Sequence, residues 1–441
     1  MRAIYLFKRD LRLEDNRGLC EASKNYKEII PVFIFDPQII NQLKAQGKRL
    51  YYVLRAVEEL SKGIKLYCFY ERTEEAIRKV IRLSKAKALY TTSSYSWEGR
   101  ERNEVIKRVC SEEGVKFVEV FDGFLVRPEL VEPKKVYTHF YKEWLTHIDL
   151  QQCNTEDFIV PELPLPKLQD IREKLPVEHY DTFDPQECKK RLESYQFENY
   201  EKVRDYPALD LTSKLSPCIR FGIVSIREVF QKSYGRNEQF VKELAWREFW
   251  YHIALHFPQT RDLEFQEKRR GIRWENREDY LKAFLSGKTG YPFVDAGIRQ
   301  LIEEKWLHNR MRMVLASFLT KVLLIDWRFG EVFFIEHLLD YDHVVNVGNW
   351  QWSASVGADP KPFRLFNPIL QAQKYDPECT YIKKYLPELA SLPCEWLQNP
   401  LKYKLPYYKP VVDYYERIKL AKERYIGHVP YPDSQGRTYE L

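Results

Sequence analysis

Over residues 1–125, five short apolar runs rich in β-branched and aromatic residues alternate with charged stretches whose apolar positions recur every three to four residues. The runs are AIYLF, EIIPVFIFD, KLYCFY, KALYTTSS and VKFVEVF, and between them stand segments such as KRLYYVLRAVEELSKG and EEAIRKVIRLSKAK. Strands alternating with helices predict an α/β fold, a parallel sheet in a Rossmann-like layer sandwich. No G-x-G-x-x-G accompanies it, so the fold by itself names no ligand. A stretch rich in Pro, Gln and charge, including VPELPLPKLQD, reads as a linker crossing the surface over 126–190. Beyond it the strand signal disappears. Long helical periodicities, as in QFVKELAWREFWYHIALHF and NRMRMVLASFLTKVLLIDW, predict an all-helical domain over 191–441.

Two domains suit the length of 441 residues, which exceeds what one hydrophobic core usually supports. The net charge of +6 is too mild for indiscriminate binding to nucleic acid, so phosphate contacts have to be local. An aromatic fraction of 15% points to planar partners as well as to packing. No apolar run reaches the ~18 residues of a membrane span, and the chain opens on a strand and not on a signal peptide. The eight cysteines are scattered without a C-x-x-C pair, which suits a reducing, cytoplasmic setting and argues against zinc and disulfide frameworks. Abundant Lys, Arg, Glu and Tyr with only three Met is a thermophilic bias.

Seven of the ten tryptophans, including Trp246, Trp250, Trp274, Trp327, Trp350 and Trp352, fall in the stretch 246–352. Two of them stand in NVGNWQWSASVGADP, among Gly, Asn, Asp and Ser. At helical spacing, Glu243, Trp246, Arg247 and Trp250 share one face, and so do Asn309, Arg312 and Met313. The run DYDHVVN supplies Asp340, Asp342 and Asn346, which makes an Arg–Asp pair between helices possible. TSKLSPCIRFG leads hydroxyls and amides into a predicted helix start, a place that suits a cap or an anion. GKTG at 287–290 lacks the upstream glycine of a P-loop, and HIALH lacks the Glu of a zinc-protease helix, so both read as structural.

Taken in order, KRDLRLEDN, TSKLSP, ELAWREFW, GKTGYPFVDAGIRQL, WLHNRMRM, DWRFGE, NVGNWQWSAS and FRLFNP resemble the photolyase/cryptochrome family across nearly the whole chain, and within it the class I enzymes acting on cyclobutane pyrimidine dimers. The resemblance implies an antenna domain followed by a helical domain that holds FAD. It implies that Tyr200 and the run Thr212, Ser213, Lys214, Leu215 and Ser216 contact FAD and its phosphates. Phe240, Glu243, Arg247, Asn309, Arg312, Asp340, Asp342 and Asn346 surround the rest of the cofactor. Lys214 stands where bacterial members often have Arg, and Phe240 where some have Trp.

By the same resemblance Trp350 lies beside the flavin, with an electron path through Trp327 to Trp274. Trp246 and Trp352 form a wedge around the flipped lesion, near Met313 and Glu243, with Trp250 and Asn309 also on the lesion side. Side chains alternating along NWQW, as in a strand, would let that stretch serve both purposes. Arg204, Arg310, Arg364 and Gln371 match positions that face the DNA backbone and lesion strand. The implied chemistry is light-driven electron transfer from reduced FAD to the dimer and back, with no net redox change. A second, antenna chromophore is implied: a flavin (FMN or FAD) first, otherwise a deazaflavin or a folate. No metal is expected. The expected partner is UV-damaged DNA, bound by a monomer with no obligate protein partner and no membrane. The alternative within the family is a cryptochrome-type signalling flavoprotein, which Asn346 opposes, because many cryptochromes carry Asp or Cys there.

Overall fold

The computed structural model describes residues 1–44 and 47–426. Packing divides them into two compact units: Met1–Glu132 with Lys142–Phe197 and Ser213–Tyr251, and Pro133–Tyr141 with Glu198–Thr212 and the residues from His252 onward. These are not the divisions at 125 and 190 that periodicity suggests, because the segments 142–197 and 213–251 close on the first unit.

In the first unit each apolar run forms its strand: β1 (Arg2–Phe7), β2 (Glu28–Ile34), β3 (Tyr67–Phe69), β4 (Ala88–Thr92) and β5 (Lys116–Val120). All pair in parallel in the order β3-β2-β1-β4-β5. Within β1, Ala3, Tyr5 and Phe7 enter one core with Leu54 and Val57, while Ile4 and Leu6 enter another with Ile77 and Val80. Burial on both faces is why the strands read as continuous apolar runs. The helices Lys48–Gly63 and Thr73–Ser84 supply the covering residues.

The stretch expected to be a surface linker is tied to this sheet. Ile159 N–H donates to Lys27 O at 2.8 Å, Ile29 N–H donates to Ile159 O at 3.0 Å, and the Tyr67 hydroxyl donates to Pro161 O at 2.7 Å. It is also held covalently, by a Cys20–Cys153 disulfide. Cys188–Cys218 and Cys379–Cys394 are disulfides as well. The expectation of reduced, scattered cysteines is therefore corrected. The pairs lie 133, 30 and 15 residues apart in sequence, and packing, not a short motif, brings them together. Cys68 and Cys110 are buried free thiols, and burial pushes both pKa values up.

The second unit contains no strand among its described residues. Its centre is built from the helices Pro292–Glu304, Asn309–Ser317, Trp327–His337 and His343–Ser353. GKTG is a helix entrance, as its failure as a P-loop implied: the buried Asp295 carboxylate accepts from Thr289 N–H (2.9 Å), the Thr289 hydroxyl (2.7 Å) and Gly290 N–H (3.1 Å). His308 starts the helix Asn309–Ser317, its Nδ1 accepting from Arg310 N–H at 3.1 Å. Burial holds the imidazole neutral and lowers its pKa to about 4. A depressed pKa means that the unfolded chain binds the extra proton between about pH 6.5 and 4, so this group's stabilisation is complete above that window and is lost as pH falls through it. His308→Asn keeps a capping acceptor without the titration. Denaturant unfolding of the two proteins at pH 7 and pH 4.5 should show the wild type losing more stability on acidification, by on the order of 2–3 kcal/mol.

Candidate functional site

The two tryptophans of NWQW lie in the helix His343–Ser353, not in an extended segment, which corrects the strand-like alternation expected for them. Asp342 begins that helix, its carboxylate accepting from Val345 N–H at 3.3 Å. At 100° per residue, positions two apart point about 200° from each other, so the helix separates the rings as a strand would. Trp350 is buried and Trp352 is half-buried. Trp350 reaches the helix Trp327–His337 at Gly330, where any Cβ would stand 2.0 Å from Trp350 Cη2, and meets Phe334 edge-on at 4.9 Å. Glycine is required there by close approach and not by backbone conformation.

Beside Trp350 in the chain, the expected Arg–Asp pair forms. Arg312 Nη2 donates to Asp340 Oδ2 and Arg312 Nε donates to Leu307 O, both at 2.8 Å. Asp340, Asp342 and Asn346 are all buried, and Asn346 Nδ2 has only long contacts with Glu331, at 3.4 and 3.5 Å. Among the polar atoms of this unit that are buried with no hydrogen-bond partner are Asp340 Oδ1, Trp350 Nε1, Thr212 Oγ1 and Gln371 Oε1. Leaving such groups unsatisfied costs about 1–3 kcal/mol each, so each of the four is a candidate contact for a polar ligand. Unsatisfied donors and acceptors together with the buried Trp350 ring are the chemistry that a flavin nucleotide would meet. Tyr200 is buried, while Asn309 is exposed at its helix start.

Trp327 is buried, and its Nε1 donates to Glu264 Oε1 at 3.1 Å. The half-buried Trp274 meets Tyr425 edge-on at 6.2 Å. On the other face of the NWQW helix, the Arg364 guanidinium lies 4.2 Å from the Trp352 ring centroid and pairs with Asp359. The buried Lys321 ammonium donates to Ser353 O at 2.5 Å and to Arg364 O, joining both ends of the intervening loop. Met313 is half-buried. Arg310 pairs with Asp205 at 2.7 Å and covers Tyr375 at 4.2 Å. Arg204 lies 3.7 Å from the same Asp205.

Other expected site residues belong to the first unit. Lys214 adopts the left-handed conformation (φ 50°), Ser213 Oγ accepts from Leu215 N–H at 3.3 Å, and Ser216 opens a short helix. Glu243 accepts from Gln239 at 2.9 Å, and Trp246 is half-buried. Trp250 is 3% exposed and packs on Trp246 and Phe249. Phe240 is buried, edge-on to Phe197 at 4.8 Å.

Arg247 donates to Gly123 O at 3.0 Å, covers Phe124 at 4.7 Å, and lines a cavity of about 550 Å³ within the α/β unit. Phe35 and Phe124 are among the apolar walls of that cavity, and Lys8, Arg9 and Arg102 are its cations. Burial lowers Lys8 to about 7 and Arg102 to about 10, and Arg102 Nε has no hydrogen-bond partner. Cations desolvated to this degree favour an anionic ligand. Sequence reasoning missed this cavity along with Glu264, Gly330 and Lys321.

No described helix is long and apolar enough to cross a membrane. The chain matches the family model described as DNA photolyase over residues 3–166 and the one described as FAD binding domain of DNA photolyase over residues 240–426. It is 35% identical over 428 residues to the deoxyribodipyrimidine photo-lyase of Synechococcus sp., covering 88% of each chain. Among solved structures, an archaeal photolyase from Sulfolobus tokodaii with two FAD molecules aligns with a TM-score of 0.90 and 34% identity, over 97% of this chain and 100% of that one. A Synechocystis cryptochrome aligns with a TM-score of 0.84 and 25% identity, over 96% and 98%.

Proposed function

This chain belongs to the DNA photolyase family, and we propose that it uses light to split cyclobutane pyrimidine dimers in DNA, as a class I member. The observation that carries this reading is the helix His343–Ser353, which has a buried tryptophan with an unsatisfied indole N–H on one side and a half-buried one under an arginine on the other. Reduced FAD, when bound, supplies on excitation the electron that opens the cyclobutane ring. The chain's own residues bind, orient and conduct. Arg312 holds Asp340, whose second oxygen and the Thr212 hydroxyl are left to receive donors from the cofactor. Asn346, with weak protein contacts only, is left to hydrogen-bond the flavin ring. Trp350, Trp327 and Trp274 return electrons to an oxidised cofactor. Trp352 stacks on the extruded lesion and Arg364 meets the backbone, contacts that favour damage over base order.

The test is loss of dimers from UV-irradiated DNA under blue light by purified protein carrying reduced FAD. Dimers left intact with the flavin bound and reduced would sink the repair reading and favour light signalling. The same reading places the enzyme in the cytoplasm as a monomer.

The cavity of the α/β unit is assigned to a second flavin, in line with the two FAD molecules of the Sulfolobus enzyme. Protein reconstituted with excess FAD should carry about two flavins per chain, and Arg102→Met about one, because the unmatched cation is lost. Equal flavin content by absorbance after gel filtration would remove Arg102 from the site.

A further inference from the structure

The middle of the tryptophan series has a charged environment of its own. Glu264 is 4% exposed and accepts from Trp327 Nε1 at 3.1 Å. Arg328 stands on the ring side, its guanidinium carbon 4.6 Å from the Trp327 ring centroid, and its Nη1 donates to the same Glu264 Oε1 at 3.0 Å. Asp326 accepts from that nitrogen at 3.1 Å, and Arg328 Nη2 donates to Asp262 O at 2.7 Å. Trp327 is thus a buried indole between one carboxylate on its N–H and one guanidinium over its face.

We propose that Glu264 is a positioning residue for photoreduction, stabilising Trp327 while that ring is one electron short. The proposal rests on the electron path given above. In that path an electron leaves Trp350 for the bound flavin, one from Trp327 refills Trp350, and one from Trp274 refills Trp327. An external reductant restores Trp274. Trp327 therefore carries a positive hole for the interval between the second and third transfers. Loss of an electron acidifies the indole N–H, so its proton shifts toward Glu264 Oε1 and returns when Trp274 supplies its electron, with no net proton released. The carboxylate is in direct hydrogen-bond contact with the indole N–H, while the guanidinium carbon stands 4.6 Å from the ring centroid, so the carboxylate alone can take up the proton as the hole forms. Arg328 opposes the hole, and Glu264 offsets it. A purely structural ion pair would need no contact with the indole nitrogen.

Glu264→Gln preserves shape and an acceptor oxygen while removing the charge. With flavin content and melting temperature unchanged, photoreduction should slow roughly tenfold, and the tryptophan radical seen by transient absorption should decay sooner by recombination. Arg328→Gln breaks the same ion pair but removes the opposing charge, so it should photoreduce faster than wild type. A structural role predicts loss in both variants. Wild-type radical lifetime in Glu264→Gln, or slowing in Arg328→Gln, overturns the proposal. If Glu264→Gln does not hold flavin, the direction of the Arg328→Gln effect decides. Trp327→Phe separates the two levels. If it photoreduces like wild type, the electron path itself is wrong. If it is slow while Glu264→Gln is normal, the path stands and Glu264 has no part in it.

Discussion

Replacing Cys20 and Cys153 together by Ser is expected to lower the free energy of unfolding by up to ~5 kcal/mol, the chain-entropy value for closing a loop this long. The bridge spans 133 residues, so its loss frees the largest set of unfolded conformations of the three disulfides. The Cys379–Cys394 bridge closes only 15 residues and should contribute ~3 kcal/mol on the same model. Denaturant unfolding of both double variants against wild type, after peptide mapping of the non-reduced protein, checks the size and the order. A short-loop variant that loses more than the long-loop one would show that strain or local packing, not loop closure, sets the contribution.

Trp352→Ala should weaken binding to dimer-containing duplex by roughly tenfold or more, since stacking a base on an aromatic ring is worth ~1–3 kcal/mol. Binding to undamaged duplex should change little, because phosphate contacts dominate it. Arg364→Ala should act differently, weakening both DNAs and reducing the dependence on salt. Equilibrium binding at two salt concentrations, with flavin content followed by absorbance, separates the cases. Equal weakening on damaged and undamaged DNA by Trp352→Ala, with flavin retained, would remove the stacking role.

The strands β1 to β4 were legible because their apolar runs are buried on both sides, whereas the edge strand β5, with Lys116 and Glu119 exposed, was legible from its half-buried Phe117, Val118 and Val120. NWQW was misjudged for a local reason: Gly348, Asn346 and Asn349 look like loop residues, while the helix is set by the Asp342 cap upstream and by packing of Trp350 on Gly330. Helical spacing grouped Glu243, Trp246, Arg247 and Trp250 on one helix, but spacing does not say what covers a residue, and it did not show that Trp250 is buried while Trp246 is half-buried. The Arg312–Asp340 pair was legible because opposite charges in apolar stripes have few alternatives. Glu264 and the disulfides left no trace, since their partners lie far along the chain and share no period with them.

Lys321 has a bearing on kinetics. Its ammonium joins Ser353 O and Arg364 O, and Ser355 Oγ accepts from Arg364 N–H at 2.9 Å, so the loop between Trp352 and Arg364 is closed before any DNA arrives. A surface already in its bound shape has little ordering left to do on encounter. Damaged and undamaged duplexes then associate at similar, diffusion-guided rates, and the enzyme tells them apart by how long each one stays.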